Sequence, residues 1–298
     1  MRFAGAVDIG GTGTKIGIVA EDGVVVGRTM IPTNAPAGPV GLVNAIGVAF
    51  RLLLDSSAAA RSIVGVGVSV AGFVNREHSA MIHNANLPLL RDFPLRDALQ
   101  DRLSLDCRLE VDSNAAALAE YWRGAGRGAT RLLGITLGTG VGGAVIIDGA
   151  LLRYTGECAG DLGHIILDPK GRLCSCGAHG CLEAMANSSA VAERAGGRSP
   201  RDVIDSAREG DESSRRVLAE TGLWVGLGLA SLAPLFAPDR IVVGGGIAAA
   251  REFLLDATRT SFLEHASPQY RGIELAGSPF EGWEGMIGAA SLFLSPLD

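Results

Sequence analysis

Apolar residues along the 298-residue chain fall into two alternating arrangements. Short β-branched runs interrupted by Gly and Thr come first, and longer segments with apolar residues three and four positions apart follow. The runs predict strands at 3–9, 15–20, 24–30, 63–70 and 108–111, and the longer spacing predicts helices at 39–56 and 94–102. A further helix is expected to begin after Asp112, with Ser113 or Asn114 near its cap, and to run through Ala115 to Trp122. After the Gly-rich stretch 124–128 the strand–turn–strand pattern starts again over 131–147, and helices are predicted at 200–208, 212–236, 249–264 and 284–294. The chain therefore reads as two similar hairpin-led α/β halves, an internal duplication whose second half carries an inserted loop. The expected division is 1–112 plus 285–298 against 113–284, with the insert at 164–181.

Composition narrows the class. At 47% hydrophobic residues the chain can bury a large core. Runs of consecutive apolar residues, such as Ile241-Val242-Val243, fall far short of a membrane span, and no signal peptide precedes the first strand, so a cytoplasmic protein away from membranes is expected. A formal charge of -6, with no basic block, speaks against nonspecific nucleic-acid binding.

The 42 glycines matter through their clustering. Ala6-Val7-Asp8-Ile9-Gly10-Gly11-Thr12-Gly13-Thr14-Lys15-Ile16 reads as strand, tight turn, strand. In such a turn glycines let backbone N–H groups face an anion, and Thr12 and Thr14 are expected to add hydroxyl donors. Leu137-Gly138-Thr139-Gly140-Val141-Gly142-Gly143 repeats the device between two more strands. A lone Gly-rich hairpin is an ordinary turn. A pair, one opening with Asp8 at a strand end, suits a nucleotide gripped at its phosphates, with Asp8 holding hydrated Mg²⁺. A third cluster, Val243-Gly244-Gly245-Gly246-Ile247, is expected to lead from a strand into a helix near Ala249. It fits a dinucleotide fingerprint on paper, but no acidic residue stands at the required offset on a second strand.

His164, Cys174, Cys176 and Cys181 lie within 18 residues, with Gly171, Gly177 and Gly180 among them. One imidazole and three thiols at loop-like spacing supply the donor set of a closed tetrahedral zinc site. The alternative is a pair of disulfides, which an oxidising compartment would require. Cys107 and Cys158 stand outside the pattern. Asp112, where a strand passes into a helix, is either a helix cap or a carboxylate base facing a substrate hydroxyl; beside two phosphate-binding turns, the base is the missing part.

Over essentially its full length the chain resembles the ROK sugar kinases (repressor, open reading frame, kinase). Asp8-Ile9-Gly10-Gly11-Thr12 resembles the family's first phosphate motif, Leu137-Gly138-Thr139-Gly140-Val141-Gly142-Gly143 its second, and Val243-Gly244-Gly245-Gly246-Ile247 its adenosine motif. Gly-x-x-Gly-His and Cys-x-Cys-Gly-x-x-Gly-Cys-Leu-Glu are similar to its zinc loop. The resemblance implies a two-domain actin/hexokinase-like (ribonuclease H-like) α/β fold with a zinc-binding loop. It implies ATP and Mg²⁺ held by Asp8, Gly10, Gly11, Thr12, Lys15, Gly138, Thr139, Gly140, Gly244, Gly245 and Gly246. It also implies structural Zn²⁺ on His164, Cys174, Cys176 and Cys181, and a homodimer or homotetramer. In the family His164 turns one ring nitrogen to zinc and the other to the sugar, Glu183 accepts from sugar hydroxyls, and Asp112 is the general base that deprotonates the 6-hydroxyl. Gly72, Val111 and Asp161 fall at the sugar site. Family repressors carry a winged helix-turn-helix ahead of this fold; with the first strand expected at Arg2 or Phe3, none is expected here.

Three positions depart from the family pattern. Val111 replaces an Asn that bonds the sugar's 3- and 4-hydroxyls, Asp161 replaces a longer Glu, and Ala71 replaces a common Pro. An unpaired buried hydroxyl costs roughly 1–3 kcal/mol, so plain glucose is expected to fit less well. A 3-amino sugar such as kanosamine, whose ammonium pairs with a carboxylate, is the expected alternative. The expected activity is ATP-dependent 6-phosphorylation of a hexose or amino-hexose, glucose or kanosamine. An ordinary glucokinase and a non-catalytic sugar sensor are the alternatives, and a zinc oxidoreductase lacks the open metal position it needs.

Overall fold

A computed structural model gives the fold, describing residues 1–33, 38–57, 62–83, 87–153 and 161–295. Cys158 and Gly160 lie outside the described residues, as do the last three of the chain. Two compact units emerge: Met1–Arg123 with Gly149–Ala159 and Trp283–Asp298, and Gly124–Asp148 with Gly160–Gly282. The helix after Asp112 falls in the first unit, whereas the sequence division assigned it to the second.

In chain order the first unit supplies β1 (Phe3–Ile9), β2 (Gly13–Ala20), β3 (Val25–Pro32), α1 (Gly38–Asp55), β4 (Ile63–Val70), β5 (Phe73–Val74), β6 (Met81–His83), α2 (Leu95–Leu103), β7 (Cys107–Val111) and α3 (Asp112–Arg123). The second supplies β8 (Arg131–Leu137) and β9 (Val141–Ile147); β10 (Ala150–Leu151) returns to the first. The second unit resumes with α4 (Leu182–Ala186), α5 (Ser188–Arg194), α6 (Pro200–Arg208), α7 (Glu212–Phe236), β11 (Arg240–Gly244), α8 (Glu252–His265) and β12 (Glu274–Gly277), and α9 (Glu284–Leu294) closes the first.

The two sheets share one plan. In the first unit the order is β3-β2-β1-β4-β7, with β1 and β2 antiparallel and β4 parallel to both β1 and β7. In the second, β9-β8-β11-β12 repeats it: an antiparallel hairpin, then parallel β11 and β12. Each Gly/Thr turn joins the two strands of its unit's hairpin, so the duplication places the turns at equivalent points of two sheets.

Each sheet buries its own core. Val7, Ile9, Ile16, Val66, Val68, Leu42, Ile46 and Phe50 pack in the first. Leu133, Ile135, Val145, Leu218, Val225, Leu229, Ile241 and Val243 pack in the second. α9 closes on α3 through Gly288, where an added Cβ would stand 1.6 Å from the Ala115 carbonyl oxygen; only glycine permits that approach. α1 and α7 are long and apolar enough to cross a membrane by length and composition, which the short consecutive runs did not reveal. Their apolar residues are interspersed with polar ones at helical spacing and line the two cores.

Several features differ from the sequence reading. The β5–β6 hairpin, β10, β12, and the pair α4 and α5 were not anticipated. The last cluster does not lead directly into a helix at Ala249: β11 ends at Gly244, a 3₁₀ turn spans Ile247–Ala250, and α8 begins at Glu252 after Arg251 turns with φ 48°.

Candidate active site

The β1–β2 pairing sets Asp8 opposite Lys15, and β4 sets Ser69 beside it. The Asp8 carboxylate accepts from Lys15 Nζ at 3.2 Å and from Ser69 Oγ at 2.9 Å. Lys15 also lies 5.7 Å from the Trp283 ring centroid. The turn is closed by the Gly10 N–H donating to the Gly13 carbonyl at 3.1 Å, while Gly11 and Thr12 remain exposed. Thr14 departs from expectation. Its buried hydroxyl lies 2.9 Å from that of Thr33, whose own hydroxyl donates to the Gly10 carbonyl, so Thr14 braces the turn from beneath.

β7 delivers Val111 and Asp112 in succession. Val111 pairs in register with Val70 and packs at the edge of the first core. Asp112 opens α3, and its Oδ1 accepts from the Ser113 N–H at 2.7 Å, so the carboxylate stands at a helix N-terminus, where negative charge is favoured. Two residues before Asp112, Glu110 is buried on the face of β7 opposite the core-facing Leu109 and Val111, a residue the sequence reading passed over. Gly72 turns the chain out of β4 with φ 110°.

In the second unit the Gly138 N–H donates to the Gly140 carbonyl at 2.9 Å, and Thr139 is exposed. Both flanks of this turn are held by residues that follow the cysteine loop. Glu183 Oε2 accepts from the Val141 N–H at 3.0 Å, and an added Cβ on Gly140 would meet that oxygen at 2.6 Å. Ser188 donates to the Gly138 carbonyl through both its N–H, at 2.8 Å, and its hydroxyl, at 2.7 Å. Gly245, with φ 89°, lies so close to Leu137 that a Cβ would meet the Leu137 carbonyl oxygen at 2.3 Å. Gly244 is buried, and Gly246 leads into the 3₁₀ turn.

His164, Cys174, Cys176 and Cys181 converge, their ligand atoms all within 4.8 Å of one another. The separation is 3.7 Å between the sulfurs of Cys176 and Cys181, and 3.4 Å between Cys174 Sγ and His164 Nδ1. A tetrahedral ion with the usual zinc bond lengths separates two sulfurs by about 3.8 Å and a sulfur from a nitrogen by about 3.5–3.6 Å, so the four residues fit a zinc ion. Burial and the neighbouring thiols push the Cys181 thiol up to about 12, and burial raises Cys174. The Ala178 backbone N–H holds Cys176 below the ordinary thiol value. To bind as three thiolates, these groups would need a neighbouring cation, the role a metal ion would fill. His164 Nε2 faces Asp161 Oδ2 at 3.5 Å, and burial raises the Asp161 carboxyl against the opposing pull of His164. Ser175 Oγ donates to Glu183 Oε1 at 2.8 Å, and Arg172 ties the loop to the Ala184 carbonyl at 2.7 Å.

This mixed-sheet architecture recurs in solved sugar kinases. A ROK family glucokinase from Streptomyces griseus, in complex with glucose and AMPPNP, matches with a TM-score of 0.85 at 31% identity, covering 98% of this chain and 99% of that one. A ROK hexokinase from Thermus thermophilus matches at 0.79 and 30% identity, over 97% of each chain. The protein is a sugar kinase, phosphorylating its substrate from ATP. More narrowly, it belongs to the ROK family, whose sequence profile matches residues 4–295. The glucokinase of Streptomyces coelicolor is 34% identical over 97% of both chains, and that of Thermotoga maritima 32% identical over 96% of this chain and 95% of its own.

Proposed function

We propose that the protein transfers the γ-phosphoryl group of ATP to the 6-hydroxyl of a hexose or amino-hexose, with Asp112 as general base. Asp112 takes the hydroxyl proton as the sugar oxygen attacks the γ-phosphorus, the bond to the bridging oxygen breaks, and ADP leaves. The observation that carries this reading is the carboxylate at the β7–α3 corner in a chain that belongs to a family of sugar kinases.

Gly10, Gly11, Thr12, Gly138, Thr139 and Gly140 are assigned to the phosphates, and Gly244, Gly245 and Gly246 to the adenosine. Asp8 is assigned to hydrated Mg²⁺, with Lys15 neutralising it when the ion is away. Zinc on His164, Cys174, Cys176 and Cys181 is structural: four protein donors leave no position for water, so the ion fixes the loop without activating a nucleophile. Asp161, Glu183 and the free nitrogen of His164 are assigned to the sugar. In this reading the two hairpin-led units are the duplicated halves of an actin/hexokinase-like, ribonuclease H-like fold.

Glucose and kanosamine are the two leading sugars. The names of the relatives favour glucose, and Val111, which offers no hydrogen bond at the 3- and 4-hydroxyl position, favours a 3-amino sugar. An ADP-release assay over glucose, mannose, N-acetylmannosamine, glucosamine and kanosamine separates them. Kanosamine is expected to show the highest kcat/KM, with Val111→Asn moving preference toward glucose; glucose preferred about tenfold or more, equivalent to ~1.4 kcal/mol, would defeat the 3-amino reading. No ADP release with any sugar would defeat the kinase reaction itself and leave the sensor.

A further inference from the structure

We propose that Glu110 and Arg153 are positioning residues that lock the corner carrying Asp112. The proposal rests on Asp112 as the base. Glu110 is 1% exposed on the face of β7 opposite the core residues Cys107, Leu109 and Val111, and a buried carboxylate is expensive without partners. Its partners among the described residues belong to the corner or fasten it. Oε1 accepts from the Val111 N–H and from Asn114 Nδ2, each at 2.9 Å, so one oxygen joins the last residue of β7 to the first turn of α3 across Asp112. Oε2 accepts from Arg153 Nη2 at 2.5 Å. Arg153 comes from the stretch 149–159, which the first unit takes from the middle of the chain, 43 residues beyond Glu110.

His78 completes the arrangement. Its Nδ1 lies 3.0 Å from the Leu109 carbonyl oxygen and its Nε2 3.3 Å from Arg153 Nη1. The neutral tautomer protonated on Nδ1 satisfies both contacts, donating to Leu109 and accepting from Arg153. Backbone and side-chain donors from residues 111 and 114 thus meet on a carboxylate held from outside by an arginine fork, which a histidine orients in turn. Such a strap removes the freedom of the corner to rotate Asp112 away from the hydroxyl it deprotonates. Misplacement of a catalytic group by about 1 Å costs on the order of 100-fold in rate.

Arg153 is the residue to remove, because its side chain is half exposed and its loss creates no cavity. Arg153→Met is expected to lower kcat about 10- to 100-fold while leaving KM for ATP and sugar near wild type. Arg153→Lys should recover part of the rate, since it restores the charge without the fork. Glu110→Gln should fall with Arg153→Met, and the double variant should be no worse than either.

The discriminating measurement is a cycle with Asp112→Asn. If Arg153 acts through Asp112, Arg153→Met lowers the residual rate of Asp112→Asn no further. An equal fractional loss in both backgrounds, or unchanged kcat in Arg153→Met and Glu110→Gln, overturns the strap. So does a rate loss that tracks only the unfolded fraction in a thermal melt. Near-normal turnover of Asp112→Asn alone is a separate outcome: it overturns the base assignment, and with it the foundation of the proposal.

Discussion

Replacing Glu183 tests whether the cysteine loop holds the second glycine turn. In Glu183→Ala the 3.0 Å bond from the Val141 N–H and the 2.8 Å bond from Ser175 Oγ disappear together, along with a longer 3.8 Å contact from Cys174 Sγ. Val141 is only 2% exposed, so its N–H loses its acceptor where water enters only through the space the side chain vacates. An orphaned buried donor costs about 1–3 kcal/mol, and the bond lost is of the stronger, charge-assisted kind. Water entering the vacated space offsets part of this, so about 2 kcal/mol is expected, a fall in Tm of about 4–8 °C if the second unit melts as a domain of 150–250 residues. Glu183→Gln is the control. Its amide oxygen still accepts from Val141 and its NH₂ group donates to Ser175, whose hydroxyl rotates to accept, so the loss should stay below about 1 kcal/mol.

The assay pairs a thermal melt with nucleotide affinity measured without sugar. Omitting sugar matters because Glu183 is also assigned to the sugar hydroxyls, where both variants lose. Val141 directly follows Gly138, Thr139 and Gly140, so an unsupported Val141 loosens the turn assigned to the phosphates. Nucleotide Kd should rise several-fold in the Ala variant and little in the Gln variant. Equal losses in both, or unchanged nucleotide Kd in the Ala variant, would refute the argument.

Two further predictions concern metal and pH. Metal analysis of protein purified without chelator should find about one zinc per chain, and Cys176→Ser should lose the metal and lower Tm together, because ligand binding and loop folding are one event; no zinc in the wild-type protein would remove the assignment. Asp211 caps α7, accepting from Ser214, Ser213 and Arg198, and its hydrogen bonds with Ser214 above all hold the carboxyl at about 2, below its ordinary value of 3.8. A depressed carboxyl contributes stability above its ordinary value and loses it as pH falls through the folded value. Asp211→Ala should therefore destabilise at neutral pH and flatten the decline of stability between 3.8 and about 2, as denaturant midpoints against pH would reveal.

What was legible in the sequence was local. The two hairpins were readable because Gly and Thr separate apolar runs of strand length, and the His/Cys cluster because its ligands lie on one loop. Thr14 was misread because its buried partner, Thr33, lies beyond the hairpin, just past the end of the next strand. α4 and α5 escaped notice because neither is long enough to show a 3.6-residue period. Their junction is set by Asn187, extended at ψ 175°, whose side chain accepts from the Ala190 N–H and starts a new helix. The start of α8 was misplaced because Arg251 adopts φ 48°, a left-handed conformation that composition does not announce in an arginine. Glu110 was not legible because it alternates with Arg108 opposite the core residues Cys107, Leu109 and Val111, as a solvent-facing position would, and its partner 43 residues away is not inferable from spacing.

The proposed closed, structural metal site in a phosphoryl-transfer enzyme needs a physical reason, and the second unit supplies one. Cys181 ends the loop, Glu183 two residues later supports the Val141 side of the glycine turn, and Ser188 grips its Gly138 side with two bonds. Both flanks of the turn are thus set by a segment whose start is pinned by the thiol cluster, and Arg172 fastens the loop again at Ala184. With so few residues between cluster and turn, little slack separates them. In the proposed assignment, a metal on Cys174, Cys176, Cys181 and His164 would therefore act on phosphate binding through backbone placement. The mechanical order runs from cluster to Glu183 and Ser188 and then to the turn, which is why Cys176→Ser should weaken nucleotide binding even though Cys176 is not assigned to the nucleotide.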